Sequence, residues 1–108
     1  MTADQVIVVL VTCPSSAVAG RISRRLITQR LAACVNIVPR VTSVFRWQGK
    51  IERCAESLLI IKASRRRFPA LKAAILKSHP YQTPEVIAWP LSAGHPPYLR
   101  WVLSSSHP

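Results

Sequence analysis

The stretch KSHPYQTPEVIAWPLSAG, Lys77 to Gly94, sets an imidazole (His79), a phenol (Tyr81) and a carboxylate (Glu85) on a corner stiffened by Pro80 and Pro84. Neutral imidazole and carboxylate are suitable ligands for copper or zinc. A ligating histidine also needs its other ring nitrogen anchored by an acceptor. Two ligands are fewer than a closed site requires, so a metal centre here needs donors from elsewhere. The structural alternative is that His79 ends a helix, Tyr81 packs, and Glu85 pairs with an Arg or Lys. A second chemistry belongs to Arg65, Arg66 and Arg67, which lie ahead of a helix start. Positive charge is unfavourable there unless an anion binds, and helix N-termini favour phosphate. The alternative is a solvated loop.

Catalytic constellations are hard to build. The chain has no G-x-S-x-G elbow, no Walker loop and no paired carboxylates with a matching base. An enzyme is therefore not expected. Cys13, Cys34 and Cys54 are odd in number, widely spaced and without a C-x-x-C pair, which excludes a zinc knuckle or a thioredoxin motif. Unpaired thiols suit a reducing compartment. Free cysteine is also a common core residue. Cys13 becomes reactive only if the following helix N-terminus lowers its pKa.

The elements that must carry these residues read clearly. Val6 to Thr12 is a β-branched run, expected as a strand buried on both faces. CPSS breaks it, and Ser15 or Ser16 can cap a helix. Val18, Ile22, Leu26, Ile27 and Leu31 form that helix's apolar stripe. From Cys34 to Ala63, period two and Gln48-Gly49 predict a long hairpin, with an edge or bulge at Pro39. RRRFPALKAAILKSH predicts a second helix, with Pro69 in its first turn and Phe68, Leu71, Ile75 and Ser78 on one face. Pro80 ends it. EVIAWPL is the fourth strand, and PPYLRWVL a short last helix starting at Pro97 or just after. The order is β-α-β-β-α-β, a ferredoxin-like α+β fold with helices on one face of an antiparallel sheet.

The 108 residues fit a single domain spanning residues 1–108, and 49% of them are apolar, which excludes disorder. No apolar run approaches the ~18 residues that span a membrane. VIVVLV is too short for a signal peptide, and Asp4 precedes it. Fifteen basic residues face four acidic ones, a formal +11. Such a charge invites anionic partners or simply keeps the surface solvated. Neither Val6–Val11 nor SLLIIKA holds an aromatic residue, so the sheet has no base-stacking consensus and no specific nucleic-acid partner is expected. Charge-driven, nonspecific binding stays open.

The hairpin is long for its domain. Arms of about 14 residues reach roughly 45 Å at ~3.3 Å per residue. A globule of this length is about 34 Å across for a sphere of its expected radius of gyration. The overhanging end carries Val44, Phe45, Trp47 and Ile51. An exposed apolar edge is an aggregation hazard. Cover by further copies of the chain predicts an obligate homo-oligomer. The alternative is that Trp47 folds back on its own subunit. Within an oligomer, Cys34 or Glu56 of another subunit can complete a metal site at His79 and Glu85.

LAACVNIVPRVTSVFRWQGKIE, ESLLIIKA, HPYQTPEVIAWPL, GHPPYLRW and the opening VLVTCPS together resemble the CutA family of divalent-cation tolerance proteins over nearly the whole chain. The resemblance implies a ferredoxin-like subunit, a tightly packed homotrimer and a cytoplasmic role linked to copper and other divalent metals. It also implies likeness to the PII-like signalling proteins, which bind ligands in clefts between subunits. It thus points to a divalent metal ion, copper first, at His79, Glu85 and Cys34, to a cleft lined by Tyr81, Lys62 and Glu56, and to an oligomer interface with Phe45, Trp47 and Trp101. A small anionic ligand in the cleft is the alternative. Some positions depart from the family. The first helix begins without the acidic residues often found there, and Ala63 stands where Thr is usual. A cysteine proposed as a metal ligand in some members aligns with Val11, two positions before Cys13.

Overall fold

The structure, a computed structural model, describes residues 5–108. β1 (Val6–Cys13) leads through α1 (Ser16–Thr28) into the hairpin β2 (Cys34–Trp47) and β3 (Lys50–Ser64). A single 3-10 turn at Arg65–Arg67 opens into α2 (Phe68–Ser78), followed by β4 (Ile87–Pro90) and α3 (Pro96–Ser105). The strands form one sheet in the order β2-β3-β1-β4, every neighbouring pair antiparallel. This is a small α+β fold in the element order read from the sequence.

Local chemistry explains most boundaries. Ser15 caps α1, its Oγ accepting from the Val18 N–H at 3.2 Å. Pro at the start of α2 and of α3 has no N–H to leave unsatisfied. Gln48 and Gly49 both have positive φ, 51° and 79°, the backbone of a two-residue hairpin turn. The register of β2 against β3 shifts between Val38 and Val41, with Arg40 at φ 59°. Pro39 thus sits in a bulge on an edge strand, where its missing N–H costs the ladder nothing.

Three expectations need correction. Ile27 is exposed and Ala19 takes the inner position of α1 with Ile22 and Leu26. The helical period of 3.6 carries position 27 past the face that position 26 already fills. β4 is shorter than Glu85–Leu91, because Glu85 and Val86 belong to the corner after Pro84. α3 starts one residue early, at Pro96, and runs on to Ser105. At its end the Ser104 and Ser106 hydroxyls donate back to Trp101 O and Val102 O.

The core lies between the sheet and the two long helices. Ile7, Val9, Val11 and Cys13 of β1 and Leu59, Ile61 and Ala63 of β3 meet Ile22 and Leu26 of α1 and Leu71 and Ile75 of α2. Alternate residues face the other way. There Val38, Ile87 and Trp89 stay exposed. α3 covers one end of that second face, where Ser106 Oγ accepts from the Ser64 N–H at 3.0 Å.

The hairpin dictates the shape. The β1–β3 ladder stops at Cys13–Ser57, while β2 and β3 stay paired out to Trp47–Lys50. Seven residues of β3, Lys50 to Glu56, run past β1, roughly 23 Å at ~3.3 Å per residue. The longest dimension is 44 Å against 26 and 22 Å for the others. Trp47 and Ile51 at the tip are 53% and 72% exposed, so Trp47 does not fold back onto its own chain.

Candidate functional site

The ledge made by the overhanging hairpin is closed on its other side by the proline corner. The corner is pinned to the end of β1. His79 is buried, and its Nε2–H donates to Thr12 O at 2.8 Å. Its Nδ1 accepts from the Tyr81 N–H at 3.1 Å, which assigns the proton to Nε2. The Tyr81 ring packs on the imidazole at 4.8 Å between centroids. The Tyr81 hydroxyl then donates to Glu56 Oε2 at 2.7 Å. A chain of contacts therefore runs from β1 through the corner to β3. Partial burial raises the Tyr81 pKa, and the hydrogen bond to Glu56 and its charge raise it further. The phenol stays protonated and acts as a fixed donor.

Between ledge and corner lies a cavity of about 690 Å³. Thr12, Ser43, Val44, Phe45, Trp47 and Tyr81 give it apolar and hydroxyl walls. Gln82 and Thr83 close the corner side, and Glu52, Glu56 and Glu85 supply carboxylates. No Lys or Arg lines it. Glu52, Glu56 and Glu85 are the only carboxylic side chains between residues 5 and 108. Every described acidic side chain of a +11 protein thus faces one cavity. The volume falls within the range of small-molecule sites and far exceeds one hydrated ion.

The sequence-derived site residues separate into groups. Tyr81, Glu56 and Glu85 come together at the cavity. Lys62 does not line it: its Nζ bonds Asn36 Oδ1 on the open face of the sheet. Cys34 pairs with Lys62 in the ladder, five residues along β3 from the Ser57 pair that ends β1, roughly 16 Å away. The Tyr98 phenol pKa is raised by burial first and by Cys34 second. Among the described residues no three His, Cys, Asp or Glu side chains converge, so His79, Glu85 and Cys34 do not meet within one chain. Both His79 nitrogens already have partners, and ligation would require one of them to be given up. Phe45 and Trp47 stand exposed on the hairpin, and Trp101 stands exposed on α3, 5.6 Å from the Tyr98 ring.

Cys13 corrects another expectation. It is fully buried in the core cluster. Burial, and then the charge of Glu56, pushes its thiol up to about 11, with Arg21 offsetting only part. The helix N-terminus beside it does not generate a nucleophile. Glu52 lines the cavity too, although the expected metal and cleft residues do not include it. Its signal was available: it lies on the same face of the hairpin as Glu56, four residues along β3.

The family model for the CutA1 divalent ion tolerance protein matches residues 7–105. The chain belongs to the CutA1 family. It is 47% identical over 95 residues to the divalent-cation tolerance protein CutA of Thermus thermophilus, covering 88% of this chain and 92% of that one. It is 49% identical over 92 residues to protein CutA of Mus musculus, covering 85% of this chain but 52% of the mouse protein. The chain therefore spans about half the length of that CutA relative and nearly all of the bacterial one. The crystal structure of CutA1 from Oryza sativa superposes with a TM-score of 0.93 at 42% identity, over 99% of this chain and 98% of that one. The long hairpin and the corner belong to the stretch that the CutA1 family model matches.

Proposed function

We propose that the chain acts as a cytoplasmic homotrimer in divalent-cation tolerance, copper first among the metals, by binding cations and not by catalysis. The carrying observation is the segregation of charge: Glu52, Glu56 and Glu85 line one cavity that no Lys or Arg enters. Three carboxylates on the walls of one cavity, with no cation among the lining residues, give it a negative potential that favours a cation. The same three charges disfavour an anionic ligand in this cavity.

Two features support self-assembly. Seven residues of β3 lie beyond β1, and the second face of the sheet exposes Val38, Ile87 and Trp89. Cover by neighbouring copies removes both liabilities. It also brings a neighbour's donors to the cavity. In this reading Glu85 and Glu56 supply oxygen ligands, Tyr81 fixes the Glu56 carboxylate, and His79 holds Tyr81. A thiolate such as Cys34 of a neighbour completes a set that one chain lacks. All three cysteines are free, as a reducing compartment requires.

Equilibrium dialysis of untagged protein against copper and zinc tests the assignment. Glu56→Gln and Glu85→Gln are expected to weaken binding roughly 10–100-fold, on the scale of lost ligands and their supports. His79→Ala is expected to weaken it less, through the loss of Tyr81 positioning. Affinity unchanged in both glutamine variants removes the cavity as the site, and affinity unchanged in His79→Ala removes His79.

A further inference from the structure

The helical layer is the electrical opposite of the cavity. α1, the 3-10 turn and α2 contain Arg21, Arg24, Arg25, three consecutive arginines at 65–67, Lys72 and Lys77, and not one carboxylate. All but the half-buried Arg67 are exposed. Arg67 Nε donates to the carbonyl of Arg30 at 3.2 Å, so the end of α1 and the arginine turn are adjoining. Cations three or four positions apart on a helix repel by ~0.2–0.5 kcal/mol per pair, and basic residues before α2 oppose its dipole.

Backbone strain adds a separate observation. Arg30 follows α1 at φ 56°, the left-handed position where helices usually place glycine or asparagine. A side chain with a Cβ costs ~1–2 kcal/mol there. A guanidinium is held at a position where its own backbone disfavours it, beside three more. An external polyanion offsets both costs.

We propose that this basic shoulder, centred on Arg30 and the 65–67 turn, binds the phosphate backbone of duplex nucleic acid without reading its sequence. The duplex is favoured over a single strand because no aromatic side chain is exposed on α1 or α2, so stacking has no platform. The surface lies opposite the open sheet face, so an assembly that covers that face leaves it outside. It takes no part in the cation cavity, and the two assignments stand or fall separately.

Fluorescence anisotropy of a labelled 20-base-pair DNA, titrated with the full chain between 50 and 200 mM salt, tests this. Log affinity is expected to fall linearly with log salt, by about 0.9 per neutralised phosphate. The triple variant Arg30→Asn, Arg65→Gln, Arg67→Gln is expected to flatten the slope by about 2.7, which makes the fourfold-salt loss about 40-fold smaller. The control Arg46→Gln, Lys50→Gln, Arg53→Gln removes the same charge from the hairpin and is expected to leave the slope unchanged. Equal flattening by both variants reduces the effect to net charge and overturns the proposal. So does the absence of any anisotropy change at 50 mM salt. Binding to anionic phosphatidylserine vesicles but not to the duplex at 150 mM salt overturns it in favour of a membrane surface.

Discussion

On one side of the sheet, α1 and α2 seal a core whose principal residues are almost wholly buried, and every charged residue on their outer surface is basic. On the other side, exposed apolar strands meet a cavity that gathers every described carboxylate. The closed side completes its packing within one chain, while the open side is unfinished. Under the proposed function the difference separates two kinds of stability: the first belongs to a single folded chain, and the second would depend on concentration and on what fills the cavity.

The sharpest break between the sides comes from paired core and surface substitutions. Leu71→Ala on the closed side is expected to cost about 2–5 kcal/mol, because the fully buried leucine leaves a cavity between helix and sheet. The proposed trimer is expected to persist until the chain unfolds. Trp89→Asp on the open side is expected to do the reverse: fold retained by circular dichroism, but a carboxylate set on the exposed apolar face. Sedimentation equilibrium reads the outcome as dissociation to monomers. A Trp89→Asp protein that keeps three subunits shows that the face is not covered by copies of the chain.

The next effect follows from Cys13, where the sides communicate, since its pKa is raised by burial on the closed side and by Glu56 on the open one. The folded thiol titrates at about 11, against an ordinary value of 9.0. Between those values the folded state holds the proton more tightly than the unfolded state. Stability is therefore fully present below pH 9 and is lost as pH rises through 11, by about 2–3 kcal/mol. Urea unfolding at pH 8, 9.5 and 11 measures the loss. Cys13→Ala is expected to flatten that part of the profile, and an equally steep profile assigns the loss to other groups.

What the sequence made legible divides along the same line. The closed side is local chemistry: a β-branched run, a Ser15 cap, a Gln48-Gly49 turn and a proline bulge each announce themselves within a few residues. The hairpin's excess length was legible by arithmetic alone. The cavity was only half legible. Glu52 and Glu56 are 33 and 29 positions from Glu85, and a seven-residue overhang joins them across the corner, which no periodicity encodes. His79 was read as a ligand because residue type carries chemistry, whereas its commitment to Thr12 O and the Tyr81 N–H depends on where β1 ends. Cys34 was placed near it for the same reason and lies several residues along the sheet. The family resemblance places Lys62 in the cleft, but it lies six residues along β3 from Glu56, roughly 20 Å at ~3.3 Å per residue on the same face, where its Nζ bonds Asn36 Oδ1.

The smallest effect tests the closed side's outer surface. Arg30→Gly relieves the left-handed strain of ~1–2 kcal/mol, offset in part by the greater freedom of glycine in the unfolded chain. A net gain of about 0.5–1 kcal/mol is expected from urea midpoints. The Arg67 Nε contact survives, since it uses the backbone carbonyl of residue 30 and not its side chain. Duplex affinity is expected to move the other way, with the salt slope flatter by about 0.9. A protein made more stable and a weaker polyanion binder by one substitution shows the guanidinium retained against its own backbone for what it contacts outside the chain. If stability instead falls, the Arg30 side chain is anchored within the fold, and strain no longer argues for an external partner.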